Sequence, residues 1–220
     1  MFRLSSAAFA GALCLSVASG ASAQTVGDTT IGGGVSVLGP LIEGTYTIEP
    51  NLRVRGLVIG GWDFDSSESD DNGNTFDLDI DPAAIGVLID HYPNASGLRF
   101  SGGLLFDMSE ITAIGRPSAT ETFEFNGERF DAGRIVVDAG LQSSIAPMVT
   151  AGYEYALDDH WTLSAELGAL YVGGFSATAE ADTAELQDAV DADEAFQDEL
   201  ATGQNVNILP YLSVTMSYRF

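Results

Sequence analysis

The chain has 220 residues, with 32 acidic residues against eight basic ones, none of them lysine, and a net charge of −24. That surplus of carboxylates excludes a nucleic-acid partner, because nothing is left to neutralise phosphates. A hydrophobic fraction of 45% excludes wholesale disorder, and the single cysteine excludes a disulfide scaffold.

Arg3 precedes an apolar run over residues 7–17, and Ala21-Ser22-Ala23 follows. This is the layout of a secretory signal peptide, with cleavage expected after Ala23. Cys14 follows Leu13, where a lipoprotein signal needs a small residue, so lipidation is not expected. The expected organisation is a cleaved signal over 1–23 and one domain over 24–220. Losing Arg3 leaves seven arginines against the 32 acids, a net charge of −25. No run after the signal approaches the ~20 apolar residues of a membrane helix.

Period-two alternation then dominates. Strands are expected over 30–37, 41–48, 52–65, 75–91, 98–112, 145–157, 161–174 and 206–220. The first is the weakest, because Gly32, Gly33 and Gly34 dilute it. In 52–65, Leu52, Val54, Val58, Trp62 and Phe64 alternate with Arg53, Arg55, Leu57, Ile59 and Asp63. In 75–91 the facing reverses at Pro82, which predicts a β-bulge there. Most of these runs are ~10 residues or longer, enough for a tilted strand to cross a bilayer. The connections at 49–51, 93–97 and 158–160 are short; those at 66–74, 113–144 and 174–205 are long and polar. Transmembrane barrels show this asymmetry, with aromatic girdles at both interfaces. Trp62, Phe64, Phe76, Phe106 and Tyr171 lie beside the long loops; Tyr46, Phe100, Tyr155, Trp161, Tyr218 and Phe220 lie beside the short turns. An open edge in lipid would leave backbone groups unpaired, so the sheet must close. The expected fold is all-β: a closed antiparallel transmembrane β-barrel of eight strands. One helix is expected over 182–201 in the last outer loop, capped by Asp182 with Glu185 and closed by Gly203. A hairpin is expected at Asn126-Gly127.

The ending Val214-Thr215-Met216-Ser217-Tyr218-Arg219-Phe220 resembles the C-terminal signal of bacterial outer-membrane barrels. In that family the last strand is read by the barrel-assembly machinery, which implies this role for Met216, Tyr218 and Phe220. The domain as a whole is similar to the small eight-stranded barrels of proteobacteria, of the OmpW or CarO-like kind within the OmpA-like superfamily. The resemblance implies the bacterial outer membrane, with outer-membrane lipid and lipopolysaccharide as neighbours. A peptidoglycan tether of the OmpA type is not expected after Phe220. The oligomeric state stays open.

Alternation sends Arg53, Arg55 and Arg99 into the lumen with Glu43, Asp90, Asp107, Glu154 and Glu166. Thr45 is expected opposite Arg55, Thr47 opposite Arg53, Glu43 diagonal to Arg55, and Asp90 opposite Arg99. Such charges form either a salt-bridged plug or a narrow path with an arginine constriction. Asp63, Asp65, Asp77, Asp79 and Asp81 are expected to face inward as an acidic mouth. The functional expectation is a porin-like channel for small, cationic solutes; the alternative is a non-transport barrel with a filled lumen. The only histidines, His91 and His160, fall at short turns and no His–Ser–acid set is readable, so an enzyme is not expected. No cofactor is expected beyond divalent cations at the outer loops. Glu68, Asp70, Asn72 and Asp79 match calcium-loop spacing, although Asp79 is shorter than the usual glutamate and falls in a strand run.

Overall fold

The computed structural model describes residues 25–70, 73–94, 97–117, 122–131, 133–202 and 206–220. The signal reading over 1–23, the ligand Asn72 and the helix stop Gly203 lie outside these residues. The barrel strands are β1 (Thr29–Ser36), β2 (Gly39–Glu49), β3 (Leu52–Ile59), β6 (Ala84–His91), β7 (Leu98–Asp107), β12 (Ile145–Ala156), β13 (Trp161–Tyr171) and β15 (Ile208–Arg219). They close in the order β1-β15-β13-β12-β7-β6-β3-β2. Each neighbouring pair is antiparallel, and β1 seals the cylinder against the last strand.

Alternation decides the two surfaces. In β2, Leu41, Glu43, Thr45 and Thr47 are buried, while Ile42 and Tyr46 are exposed. The outer belt carries Ile31, Val58, Val87, Leu104, Val149, Leu167 and Val214, all exposed. So continuous an apolar surface cannot face water; it suits hydrocarbon. The lower girdle appears as expected, with Tyr46, Phe100, Tyr155, Trp161 and Phe220 exposed near the short turns.

The long strands do not run unbroken. The chain leaves the barrel at Gly60 and Gly61, both with positive φ, and re-enters after Pro82 and Ala83. Further breaks fall at Met108–Ser109 and 172–174. The pieces beyond them are β4 (Phe64–Ser69), β5 (Thr75–Asp81), β8 (Glu110–Arg116), β11 (Ile135–Leu141) and β14 (Phe175–Ala181). They form a separate five-stranded sheet in the order β14-β11-β8-β5-β4 at the end away from the termini. The expected bulge at Pro82 is therefore a passage between sheets: Pro82 lacks an N–H, so the ladder ends there. The segments read as polar loops hold much of this second sheet. Phe64 and Phe76, expected in the upper girdle, belong to it and Trp62 stands just before it, whereas Phe106 and Tyr171 stay on the barrel.

One face of the outer sheet is apolar. It packs Ile135, Val137, Ala179 and Ala181 against the hairpin of β9 (Thr122–Phe125) and β10 (Glu128–Asp131) and against two helices. Asn126 and Gly127 both have positive φ, the geometry of a two-residue type I′ turn. The single expected helix is two: α1 (Ala184–Ala192) and α2 (Glu194–Thr202). Thr183, not Asp182, caps α1 by accepting from Leu186 N. Asp182 instead accepts from Arg134 N at 2.8 Å. Glu185 is consequently one residue short of capping-box position. Asp193 breaks the run, and its carboxylate takes the N–H groups of Ala195 and Phe196. Leu186 and Val190 are fully buried on Phe123 and Ile135.

Adjacent glycines in β7 test the facing. A methyl built on Gly103 would overlap the Val87 carbonyl and sit 2.7 Å from Leu88 Cα, whereas one on Gly102 meets nothing within 4 Å. Gly103→Ala is expected to destabilise the barrel by about 1–3 kcal/mol, and Gly102→Ala to stay within about 0.5 kcal/mol of the parent, by urea unfolding in detergent micelles.

Candidate functional site: a filled lumen beneath an acidic sheet

The lower half of the lumen is a network of ions. Arg55 comes from the middle of β3, buried because alternation turns it inward. Its Nη1 donates to Glu43 Oε2 at 3.1 Å and Glu166 Oε2 at 2.8 Å; its Nη2 donates to Glu166 Oε1 at 2.7 Å and Asp90 Oδ1 at 3.1 Å. Arg99 donates to Glu154 Oε1 at 2.7 Å and pairs with Glu166 at 3.2 Å. Arg53, nearer the lower rim, reaches Glu154 at 3.3 Å and lies 4.7 Å over the Tyr92 ring. The Tyr92 hydroxyl donates to Glu154 at 2.7 Å. Thr215 and Ser217 donate to Glu43, and Thr150 donates to Glu166.

Above this network the lumen is apolar. Leu41, Leu57, Ile59, Leu88, Leu105, Met148, Leu170 and Tyr211 form one buried cluster, and Leu38, Leu141, Phe175 and Leu209 pack against it from above. Leu88, Ala146 and Val172 retain no exposed surface. The interior therefore has two layers, a polar floor and a dry plug. Eight strands make an interior just wide enough for side chains to fill.

The opposite face of the outer sheet is acidic. Asp63, Asp65, Asp79, Asp81, Glu110 and Thr112 line a cleft of about 320 Å³. Asp65 stands directly across from Asp79, and Asp81 across from Glu110. Asp77 is held apart by Arg116 and by Ser67 Oγ.

No protein-family profile and no curated protein matches the chain. Among solved structures, the crystal structure of Acinetobacter baumannii CarO matches with a TM-score of 0.56 at 21% identity, over 89% of this chain and 98% of that one. Acinetobacter baumannii CarO2 matches with a TM-score of 0.58 at 18% identity, over 90% of this chain and 100% of that one. The fold is that of the CarO barrels, a closed cylinder of eight antiparallel strands.

The CarO-like barrel brings most of the lumen residues together. Thr45 faces Arg55 and Thr47 faces Arg53, as expected. Asp90 faces Ser101 instead of Arg99, because the 92–97 turn is longer on the ladder by one pair; Arg99 still approaches it at 3.9 Å. Asp107 does not join the network: it lies at the upper end of β7 and accepts from Ser109. The five mouth aspartates do not face inward. They share the sheet face opposite Leu141 and Phe175, which pack on the plug: the facing reverses across Gly60–Gly61, turning Asp65 out, and the reversal expected at Pro82 does not occur, leaving Asp77, Asp79 and Asp81 outside. The calcium spacing also fails to converge. Glu68 lies across from Phe76 on the apolar face, Asp79 lies on the acidic face, and Asp70 is engaged by Asn74. Met216 and Phe220 are exposed on the outer wall, and Tyr218 stacks on His160 with ring centroids 5.3 Å apart. The plug was missed from sequence, although Leu57, Ile59, Leu88 and Leu105 stand on lumen-facing positions.

Arg55→Ala would leave Glu43, Asp90 and Glu166 facing one another without their shared cation. The expected loss is about 3–5 kcal/mol of stability, read by urea unfolding in micelles. An unchanged midpoint would show that the network does not hold the barrel.

Proposed function

We propose that this chain is a non-enzymatic barrel of the bacterial outer membrane whose sealed lumen anchors an acidic β-sheet platform at the cell surface, for interaction rather than transport. One observation carries the reading: the lumen is blocked twice, by an ion network and by a dry apolar plug above it. A cation moving along the axis would have to leave water and cross the Leu88–Met148–Leu170 layer, where an isolated charge is costly. The aspartates expected at the mouth of a cation channel share the sheet face turned away from Leu141 and Phe175 on the plug, which favours the sealed reading.

In this reading the apolar belt contacts outer-membrane lipid, and the terminal strand with Met216, Tyr218 and Phe220 is what the assembly machinery reads. The platform's carboxylates associate with divalent cations, which bridge them to lipopolysaccharide phosphates at the rim.

Planar-bilayer recording tests the sealed lumen. Protein shown to be folded by heat-modifiable mobility is expected to give no discrete current steps. Reproducible cation-selective steps would restore the porin-like channel.

A further inference from the structure

β4 is an edge of the outer sheet, and all six of its residues are exposed. The opposite edge, β14, is packed by α1 and α2. Among the described residues nothing pairs with the outer side of β4. An unpaired edge presents backbone N–H and C=O groups and is a template for another strand.

The two faces beside this edge differ in chemistry. On one, Trp62, Phe64, Phe76 and Leu78 are each 39–52% exposed, well above what a finished core leaves open. On the other, Asp65 and Asp79 stand directly across from each other, with Asp63 and Asp81 in the same cleft. Like charges opposed on a ladder repel, and a cation between them relieves that repulsion.

We propose that the free edge of β4 takes up an extended peptide strand in which cationic side chains alternate with apolar ones. The inference rests on the platform reading and names what the platform binds. Side chains of an added strand point alternately to the two faces. One set would lie along Phe64 and Leu78, the other along Asp65 and Asp79. A second copy of this chain does not fit: its own β4 would bring Asp65 and Glu68 to an already acidic edge. The same charges repel acidic strands, so the acids set specificity as well as attraction.

The test uses the whole protein in nanodiscs of zwitterionic lipid. A Trp161→Phe variant leaves Trp62 as the only tryptophan, so its fluorescence reports on the site. The probe is a synthetic peptide of alternating arginine and valine, about six to eight residues long. Saturable binding with a blue shift of Trp62 is expected, and no binding of a glutamate–valine peptide. Two further peptides carry N-methyl groups on one or the other alternate set of residues. Face chemistry and antiparallel direction fix which peptide edge meets β4, so one is expected to bind and the other to weaken by about tenfold or more. Asp65→Asn with Asp79→Asn is expected to weaken the parent peptide by about tenfold and flatten its salt dependence. Equal binding of the two methylated peptides, or of the parent peptide to the double variant, would overturn the proposal. A conducting barrel that still binds the peptide would overturn the sealed lumen alone; a silent barrel that ignores it would overturn this inference alone.

Discussion

The Arg55 guanidinium holds the interior together. It is 1% exposed and bonded to three carboxylates from three different strands, Glu43, Asp90 and Glu166. Any of these acids alone in the lumen would be costly, and so would the arginine. Their mutual pairing lets the barrel carry charge where a soluble domain would carry only hydrocarbon. Arg99 extends the arrangement to β12 through Glu154. The network thus ties strands on opposite sides of the cylinder, beyond what ladder hydrogen bonds between neighbours achieve.

The apolar plug depends on that floor. Below it the lumen is polar and its charges are spent on one another; above it the outer sheet lays Leu141 and Phe175 over the top. The cluster under α1 and the hairpin, built on Phe123 and Leu186, is a second apolar body on the same face of the outer sheet. Barrel and outer sheet are stacked through side chains on one side of the wall, while the acids gather on the other. The separation of a dry interior from an acidic exterior follows from that single division.

The chain makes this division by breaking its strands. Gly60 and Gly61 adopt φ values that side chains disfavour, and Pro82 removes a ladder donor. Across Gly60–Gly61 the facing reverses, whereas across Pro82 it carries through. Reading 52–65 as one continuous strand carries the lumen parity outward and puts Asp63 and Asp65 inside, and expecting a reversal at Pro82 puts Asp77, Asp79 and Asp81 there too. The alternation within each piece was legible; the phase between pieces was not, because nothing local records how a chain turns through two glycines. β11 and β14 were hidden for another reason. In β14 the apolar face is Phe175 followed only by Ala177, Ala179 and Ala181, and in β11 Ile135, Val137 and Leu141 are matched by Val136 on the other face, so neither run stands out from a polar loop.

What the amino-acid sequence determined by itself was the barrel: eight lipid-crossing runs, their inward and outward faces, the β2–β3 register and the identity of the buried arginines. Period two and the cost of an unpaired edge in lipid leave few other solutions. Tertiary structure decided what fills the lumen and where the acids point. Both depend on how far side chains reach across the cylinder and on how strands re-pair beyond the rim. Neither distance is encoded in the spacing of residues along one strand.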